Sequence, residues 1–374
     1  MKREYQICNR CIMDTTDPEI VFDDNGNCNH CNDAIERAKQ VWFPNEEGEQ
    51  RLLDIANRIK KEEKNKKYDC IIGLSGGVDS SFLAYKTVKL GLRPLVVHVD
   101  CGWNSELAVK NVENIVKKLN LELHTHVVNW QEMKDLQLAY FKANVANQDI
   151  PQDHAIFAAL YSFAVKNNIK YVFNGSNFAT ECILPKAWGY NNMDTINLRA
   201  IHKKFGKRKL KKYPIMSFFK QYFYFRYIRK MTIVKPLNLM NYVKDNAIEI
   251  MKAELDWKYY GGKHHESRFT KFFQAYYLPT KFKYDKRRAH LSSLIVSSQL
   301  TREEALKEMK KEIYPNNSHL EDLEYVAKKL EVSVNEFERI INMPNKSFES
   351  YKNGAKLFKM GYRLRERFKF LNKL

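Results

Sequence analysis

Residues 68–81 read YDCIIGLSGGVDSS, a glycine-rich turn set between two runs of different period. Cys70, Ile71, Ile72 and Leu74 form a short apolar run, the pattern of a buried strand. From Asp79 to Leu90 the apolar residues Phe82, Leu83, Tyr85, Val88 and Leu90 suit a helix packed on a sheet. Between them lie Ser75, Gly76 and Gly77, and two residues without Cβ permit backbone angles closed to others. This order aims backbone N–H groups and a helix N-terminus at one spot, a natural phosphate site. The Walker string G-x-x-x-x-G-K-[ST] is absent, so the turn carries no lysine of its own.

The alternation continues along the chain. PLVVHV (94–99), ELHTHVV (122–128) and KYVFN (170–174) read as further strands, with helices near 79–90, 105–119 and 154–167. That order predicts an α/β fold, a doubly wound parallel sheet with right-handed crossovers. Beyond about 240 the chain turns helical, as TREEALKEMKKEI (301–313) and HLEDLEYVAKKL (319–330) show by spacing and by their starts. The expected organisation is a cysteine-rich zinc ribbon at 1–45 and a linker helix at 46–67. The α/β domain follows at 68–240 with a basic–aromatic insertion at 199–232, then a mainly helical region at 241–374.

With 374 residues, 44% of them hydrophobic and 13% aromatic, the chain supports a real core. No apolar run reaches the length of a membrane span, and MKREYQICNRC is too polar for a signal peptide, so a cytoplasmic protein is expected. The net charge of +19 favours anionic partners: nucleic acid, an anionic membrane surface, or phosphorylated and carboxylated small molecules. KKFGKRKLKK (203–212) holds seven Lys or Arg, and the aromatic stretch SFFKQYFYFRYIRK follows. It reads either as a solvated loop before a packed amphipathic helix or as a functional basic surface.

Seven cysteines do not suggest a disulfide scaffold, and four fall into Cys8-x2-Cys11-x16-Cys28-x2-Cys31. Two such knuckles match a four-thiolate tetrahedral zinc site, with the Asp-Asn-Gly of IVFDDNGNCNHC suiting a hairpin between them. All four positions are cysteine, so the zinc is read as structural. With so few apolar residues nearby, it would supply much of the local folding energy. An iron–sulfur cluster and a redox dithiol pair are the competing readings, and His30 reads as a bystander.

SGGVDSS resembles the pyrophosphate loop of the N-type ATP pyrophosphatases, the PP-loop family, which includes asparagine, GMP and NAD synthetases and several tRNA-modifying enzymes. The resemblance implies an adenine-nucleotide α-hydrolase type of sheet and cleavage of ATP between its α and β phosphates. A lysine on the γ-phosphate is then not essential, because the loop holds the leaving pyrophosphate. By position, Ser75, Gly76, Gly77, Ser80 and Ser81 would hold pyrophosphate oxygens and Asp79 would help hold Mg²⁺. His98-Val99-Asp100 ends the next strand, where the family contacts adenosine; Asp100 reads equally as a turn or helix-capping residue.

The zinc ribbon, the loop, NGSNFATECILP (174–185) and YYGGKHHESRFTKFFQAYYLPTKFKYDKRRAHLSSLI (259–295) together look like the N-acetyl sugar amidotransferases of bacterial surface-polysaccharide and flagellin-sugar pathways. The resemblance spans essentially the whole chain. It implies conversion of a sugar's acetamido group into an acetamidino group through an adenylylated imidate and ammonia, releasing AMP and pyrophosphate. It also implies a separate glutaminase subunit supplying ammonia, with a cyclase-like companion. The acceptor is an N-acetylated sugar or nucleotide sugar.

Gly175, Ser176, Asn177 and Glu181 follow a strand at the same sheet edge as the loop, where ligands of open parallel sheets bind. Glu181 reads as an Mg²⁺ ligand or general base, or else as a helix-surface carboxylate. Lys281, Lys286, Arg287 and Arg288 are candidate cations for the phosphates, with a solvated helix start as the bland account of any single one. Lys263, His264 and Glu266 lack HExxH spacing, which argues against a second zinc, and are read as sugar contacts. Asp153 reads as a helix cap.

The main alternative is a PP-loop tRNA thiolation enzyme, which a basic–aromatic stretch would suit. Such enzymes show a further cysteine pair, whereas Cys70, Cys101 and Cys182 stand alone. A third reading, a non-enzymatic adaptor, leaves the pyrophosphate cradle without a purpose. Nucleic acid is therefore an unlikely partner. A peripheral contact of the basic–aromatic stretch with a membrane is a further expectation.

Overall fold

The computed structural model describes residues 3–261 and 266–361. Its centre is a parallel sheet of five strands in the order β3-β2-β1-β4-β5. These are β1 (Cys70–Gly73), β2 (Pro94–Asp100), β3 (Glu122–Val127), β4 (Tyr171–Phe173) and β5 (Thr232–Val234). Register follows from Ile71 opposite Leu95 on one side and Val172 on the other. The α/β expectation holds. β5 is not among the expected strands; it lies just after the basic–aromatic stretch, where residues 217–230 show no strand pattern to lead into it.

The central strands are continuously apolar because both faces are covered. Alternate side chains divide between two cores, Ile71, Leu95 and Val97 on one face and Cys70, Ile72 and Val96 on the other. The second face receives α2 (Glu46–Glu62), α3 (Val78–Lys89), α4 (Glu106–Lys118) and, from far along the chain, α9 (Lys244–Leu255). The first receives α5 (Trp130–Ala143), α6 (Ile150–Lys166) and α8 (Thr195–Phe205). It is completed by α10 (Arg268–Phe272), α13 (His319–Lys329) and α14 (Val334–Ile341). The C-terminal helices therefore share the core of the sheet.

The remaining helices are α1 (Asn29–Val41), α7 (Phe178–Glu181), α11 (Lys286–Val296) and α12 (Arg302–Met309). They gather around the N-terminal cysteines. Cys8, Cys11, Cys28 and Cys31 pack with Phe178, Ile183 and Trp188 from the α7 side and Ala289 from α11. The Asp-Asn-Gly turn closes an antiparallel bridge between Phe22 and Cys28, with Gly26 at φ +73°. Among the described residues no helix is long and apolar enough to cross a membrane.

Candidate active site

The turn after β1 is held from several sides. Gly76 has φ +83°, and a Cβ there would lie 2.4 Å from the Ala108 carbonyl oxygen, so only glycine fits. Ser75 and Ser80 hydroxyls meet at 3.1 Å, and the Gly77 N–H donates to Ser75 Oγ at 3.2 Å. The Trp257 indole N–H donates to the Gly76 carbonyl at 2.9 Å. Ser81 is fully buried, and its Oγ has no hydrogen-bond partner. Unlike Ser75 and Ser80, Ser81 does not line the cavity beyond the turn.

Beyond the turn lies a cavity of about 490 Å³, a usual size for a small-molecule site. It opens outside the carboxyl ends of β1 and β4, where the strand order reverses, as expected for an open α/β sheet. Ser75, Gly77, Asp79, Ser80, Gly175 and Ser176 line one side, joined by Glu181 and Lys286. Val97, His98, Val99, Ile156 and Leu160 make an apolar end suited to a purine. His98 is fixed there: Nδ1 donates to the Leu74 carbonyl (2.8 Å) and Nε2 accepts from Asn104 Nδ2 (3.1 Å).

Tyr242 donates its hydroxyl to Asp79, and burial followed by the Asp79 carboxylate pushes the Tyr242 pKa well above its ordinary value. Glu181 adds a smaller push in the same direction, and both carboxylates line the cavity. Mg²⁺ takes one or two protein carboxylates and fills its shell with phosphate oxygens and water, so Asp79 and Glu181 are of the type that could hold it.

The other candidates divide. Gly76 shapes the turn from behind. Asp100 accepts from the Gly102 N–H (2.7 Å) and from Asn104 Nδ2 (3.2 Å), the work of a turn residue off the cavity wall. Asn177 caps α7 through the Thr180 N–H at 2.9 Å. Of the four basic candidates, Lys286 alone lines the cavity. Arg287 turns back on Asp285 (2.7 Å), and Lys281 donates to the Ile341 carbonyl (2.6 Å) at the end of α14. Arg288 bonds the Ile12 carbonyl (2.8 Å) and Asp14 (3.0 Å), tying α11 to the cysteine region. Glu266 reaches over the loop, 2.9 Å from where a Gly77 Cβ would stand. Lys263 and His264 lie outside the described residues.

The far wall was not read from the sequence. Asp149 accepts from Gln152 Nε2 (2.6 Å), Thr270 Oγ1 (3.3 Å) and Gln274 Nε2 (3.4 Å), and all line the cavity. Asp153 lies in the first turn of α6, whose N-cap position is Asp149, and it faces the cavity instead of capping. The one available signal was NQDIPQDH (147–154), unusually polar for a helix whose following residues are apolar.

The four cysteine sulfurs lie within 4.8 Å of one another, with Sγ–Sγ separations of 3.6 Å for Cys8–Cys31 and for Cys11–Cys28. A tetrahedron with Zn–S bonds of about 2.3 Å has edges of about 3.8 Å, so the sulfurs fit zinc. Main-chain N–H groups of Cys11 and Cys28 point at Cys8 Sγ, as they do at thiolates. His30 is engaged with Asp17 and supplies no ligand.

In the basic–aromatic stretch, Phe225 packs into the protein against Tyr161. Phe219, Phe223 and Tyr227 instead form an exposed ladder with ring separations of 5.0 and 5.7 Å. Residues 195–244 hold fourteen Lys or Arg and no Asp or Glu, and the carboxylates of Asp135 and Glu132 accept from the main chain of Lys207, Arg208, Lys212 and Tyr213.

Residues 50–215 match the NAD synthase family, and residues 266–365 match the C-terminal domain of the WbpG-like LPS biosynthesis proteins. The chain pairs a PP-loop domain with a WbpG-like C-terminal domain. A PP-loop domain of this kind marks an ATP-using enzyme. No curated protein matches the chain. Among solved structures it is similar to an NMN synthetase from Francisella tularensis (21% identity, TM-score 0.27), covering 36% of this chain and 55% of that one. The NH3-dependent NAD synthetase from Campylobacter jejuni is similar at 16% identity and TM-score 0.30, covering 70% of this chain and 96% of that one. The WbpG-like region supplies Glu266, Ser267, Thr270, Gln274 and Lys286 to the cavity that the PP-loop opens into.

Proposed function

We propose that the protein is an ATP-dependent amidotransferase that turns the acetamido group of an N-acetylated sugar into an acetamidino group during bacterial surface-glycan synthesis. The observation that carries this reading is the shared wall. One cavity is built mostly from a PP-loop domain and closed on one side by five residues of a domain of the LPS biosynthesis type.

An amide oxygen is a poor leaving group, so ammonia cannot displace it unaided. In the proposed reaction the acetamido oxygen attacks the α-phosphorus of ATP, and the bond to the bridging oxygen breaks. Ser75 and Ser80, with the N–H groups of the turn, receive the departing pyrophosphate. Lys286 offsets charge growing at the α-phosphate. Asp79 and Glu181 would hold Mg²⁺, which spreads phosphate charge when bound. Ammonia adds to the imidate carbon and loses a proton to a carboxylate of the cavity. The C–O bond then breaks, and AMP leaves with the former amide oxygen.

The buried cysteines argue against thiolation. Burial raises the pKa of Cys70 and Cys101 and pushes Cys182 up to about 11, the opposite of what a sulfur carrier needs. None suits a glutaminase nucleophile either, so we propose that a separate glutaminase subunit, with a cyclase-like companion, delivers ammonia. The exposed aromatic ladder and the basic residues of its stretch support contact with an anionic bilayer. A lack of binding to anionic liposomes would remove that contact from the account.

The test is ATP consumption with an ammonium salt across a panel of N-acetylated sugars and nucleotide sugars, products read by mass spectrometry. Sugar-dependent AMP and pyrophosphate, with the mass loss of replacing O by NH, is the expected result. AMP formation stimulated only by tRNA would replace this reading with a thiolase.

A further inference from the structure

A second chamber of about 530 Å³ lies beside the first. The two share three lining residues, Asp149, Asp153 and Lys286, so two carboxylates and an ammonium stand at their common wall. The outer wall of the second chamber is Lys186, Trp188, Tyr190, Asn191 and Asn192. We propose that this chamber is the acceptor subsite, and that it takes the ring of an N-acetylated saccharide with its acetamido group at the shared residues Asp149, Asp153 and Lys286. The inference rests on the amidotransferase reading.

Size is the first argument. A chamber this large far exceeds what ammonia needs and falls in the range of pockets that enclose ring-sized ligands. Chemistry is the second. Trp188 is fully buried, lines the chamber, and its indole N–H has no hydrogen-bond partner. An orphaned buried donor at a chamber wall is costly, and a saccharide oxygen would satisfy it once the wall shifts to admit it. The asparagine amides offer both donors and acceptors, as recognition of hydroxyl groups requires.

Position is the third argument. With pyrophosphate in the Ser75–Gly77 turn, the α-phosphorus must lie on the side of the cavity away from the turn. Lys286 faces both chambers, so it stands where an oxygen entering from the second would meet that phosphorus. The ammonium of Lys286 sits 5.4 Å from the centre of the Phe273 ring, which helps hold it at the junction. Asp149 and Asp153 accept only, so they suit the N–H of the acetamido group and the proton shed by ammonia.

Gly189 gives a clean test. Its backbone is extended (φ −139°), and a Cβ there meets nothing within 4 Å, so a larger residue fills chamber space without straining the fold. Gly189→Leu and Trp188→Phe are compared with wild type in three titrations: ATP-analogue binding by calorimetry, acceptor dependence, and ammonium dependence. Acceptor binding is also followed by saturation-transfer NMR.

The expected result is unchanged ATP-analogue affinity, an unchanged ammonium KM, and an acceptor KM raised about tenfold or more in both variants. Loss of the acceptor's transfer signal in Gly189→Leu should accompany it. If the variants raise the ammonium KM and spare the acceptor, the chamber is a nitrogen route and the proposal is overturned. Wild-type acceptor kinetics in both variants overturn it as well, with the amidotransferase reading intact. A wild-type enzyme that turns over no N-acetylated saccharide overturns both together.

Discussion

The indole N–H of Trp257 donates to the carbonyl oxygen of Gly76 across 2.9 Å, joining residues 181 positions apart. The segment after α9 thereby clamps the back of the Ser75–Gly77 turn. Trp257→Phe keeps most of the ring volume but leaves a buried carbonyl unpaired, at a cost of about 1–3 kcal/mol. Chemical denaturation should show that loss, and the KM for ATP should rise while the acceptor KM stays near wild type.

Gly76→Ala tests the turn itself. A left-handed backbone costs a non-glycine residue about 1–3 kcal/mol, and the Ala108 carbonyl blocks the new methyl group. ATP-analogue affinity, measured by calorimetry, should fall about tenfold to a hundredfold with the circular dichroism unchanged. Wild-type affinity would show that the turn does not carry the phosphates.

The cysteine centre should act on the cavity at a distance. Ser292 Oγ of α11 accepts from the Ile12 N–H (3.2 Å), and Arg302 at the start of α12 donates to the carbonyls of Cys8 (3.1 Å) and Cys11 (3.0 Å). These bonds and the packing of α7 set the helices that bear Glu181 and Lys286. Native mass spectrometry should find one zinc per chain. Cys11→Ser should lose it, lower the Tm and reduce turnover, although no cysteine touches the cavity.

His154 provides a pH signature. Its Nδ1 donates to the Asn192 carbonyl (2.9 Å), and its Nε2 accepts from the Met216 N–H (3.1 Å), so the fold holds one neutral tautomer. Burial lowers its pKa from the ordinary 6.5. A group whose folded pKa is lowered gives stability that is complete above the unfolded value and is lost as pH falls through the folded one. Stability should therefore decline below about pH 6.5, by at most about 1.4 kcal/mol per unit for one proton. His154→Gln has no titrating ring and should lack that part of the slope in denaturation at stepped pH.

The local parts of the site were readable because their geometry is local. A strand, a Ser-Gly-Gly turn and a helix start specify one another within fourteen residues, as do paired cysteine knuckles. The KFKYDKRR segment shows where such reading ends. Asp285 caps α11 and draws Arg287 to itself, and the helix then turns Arg288 toward Asp14 and Lys286 toward the cavity. Which cation faces which way depends on α11 packing against residues some 280 positions earlier. Asp149 meeting Thr270 is likewise a tertiary contact, 121 residues apart, that no period encodes.

The most direct test of the proposed chemistry follows the acetamido oxygen. An acceptor carrying heavy oxygen in its acetyl carbonyl is turned over with ATP and ammonium, and the AMP is weighed. If the amide oxygen attacks the α-phosphorus, the label moves into the phosphate of AMP and the sugar product loses it. Unlabelled AMP, or formation of ADP and phosphate in its place, would contradict adenylylation of the amide.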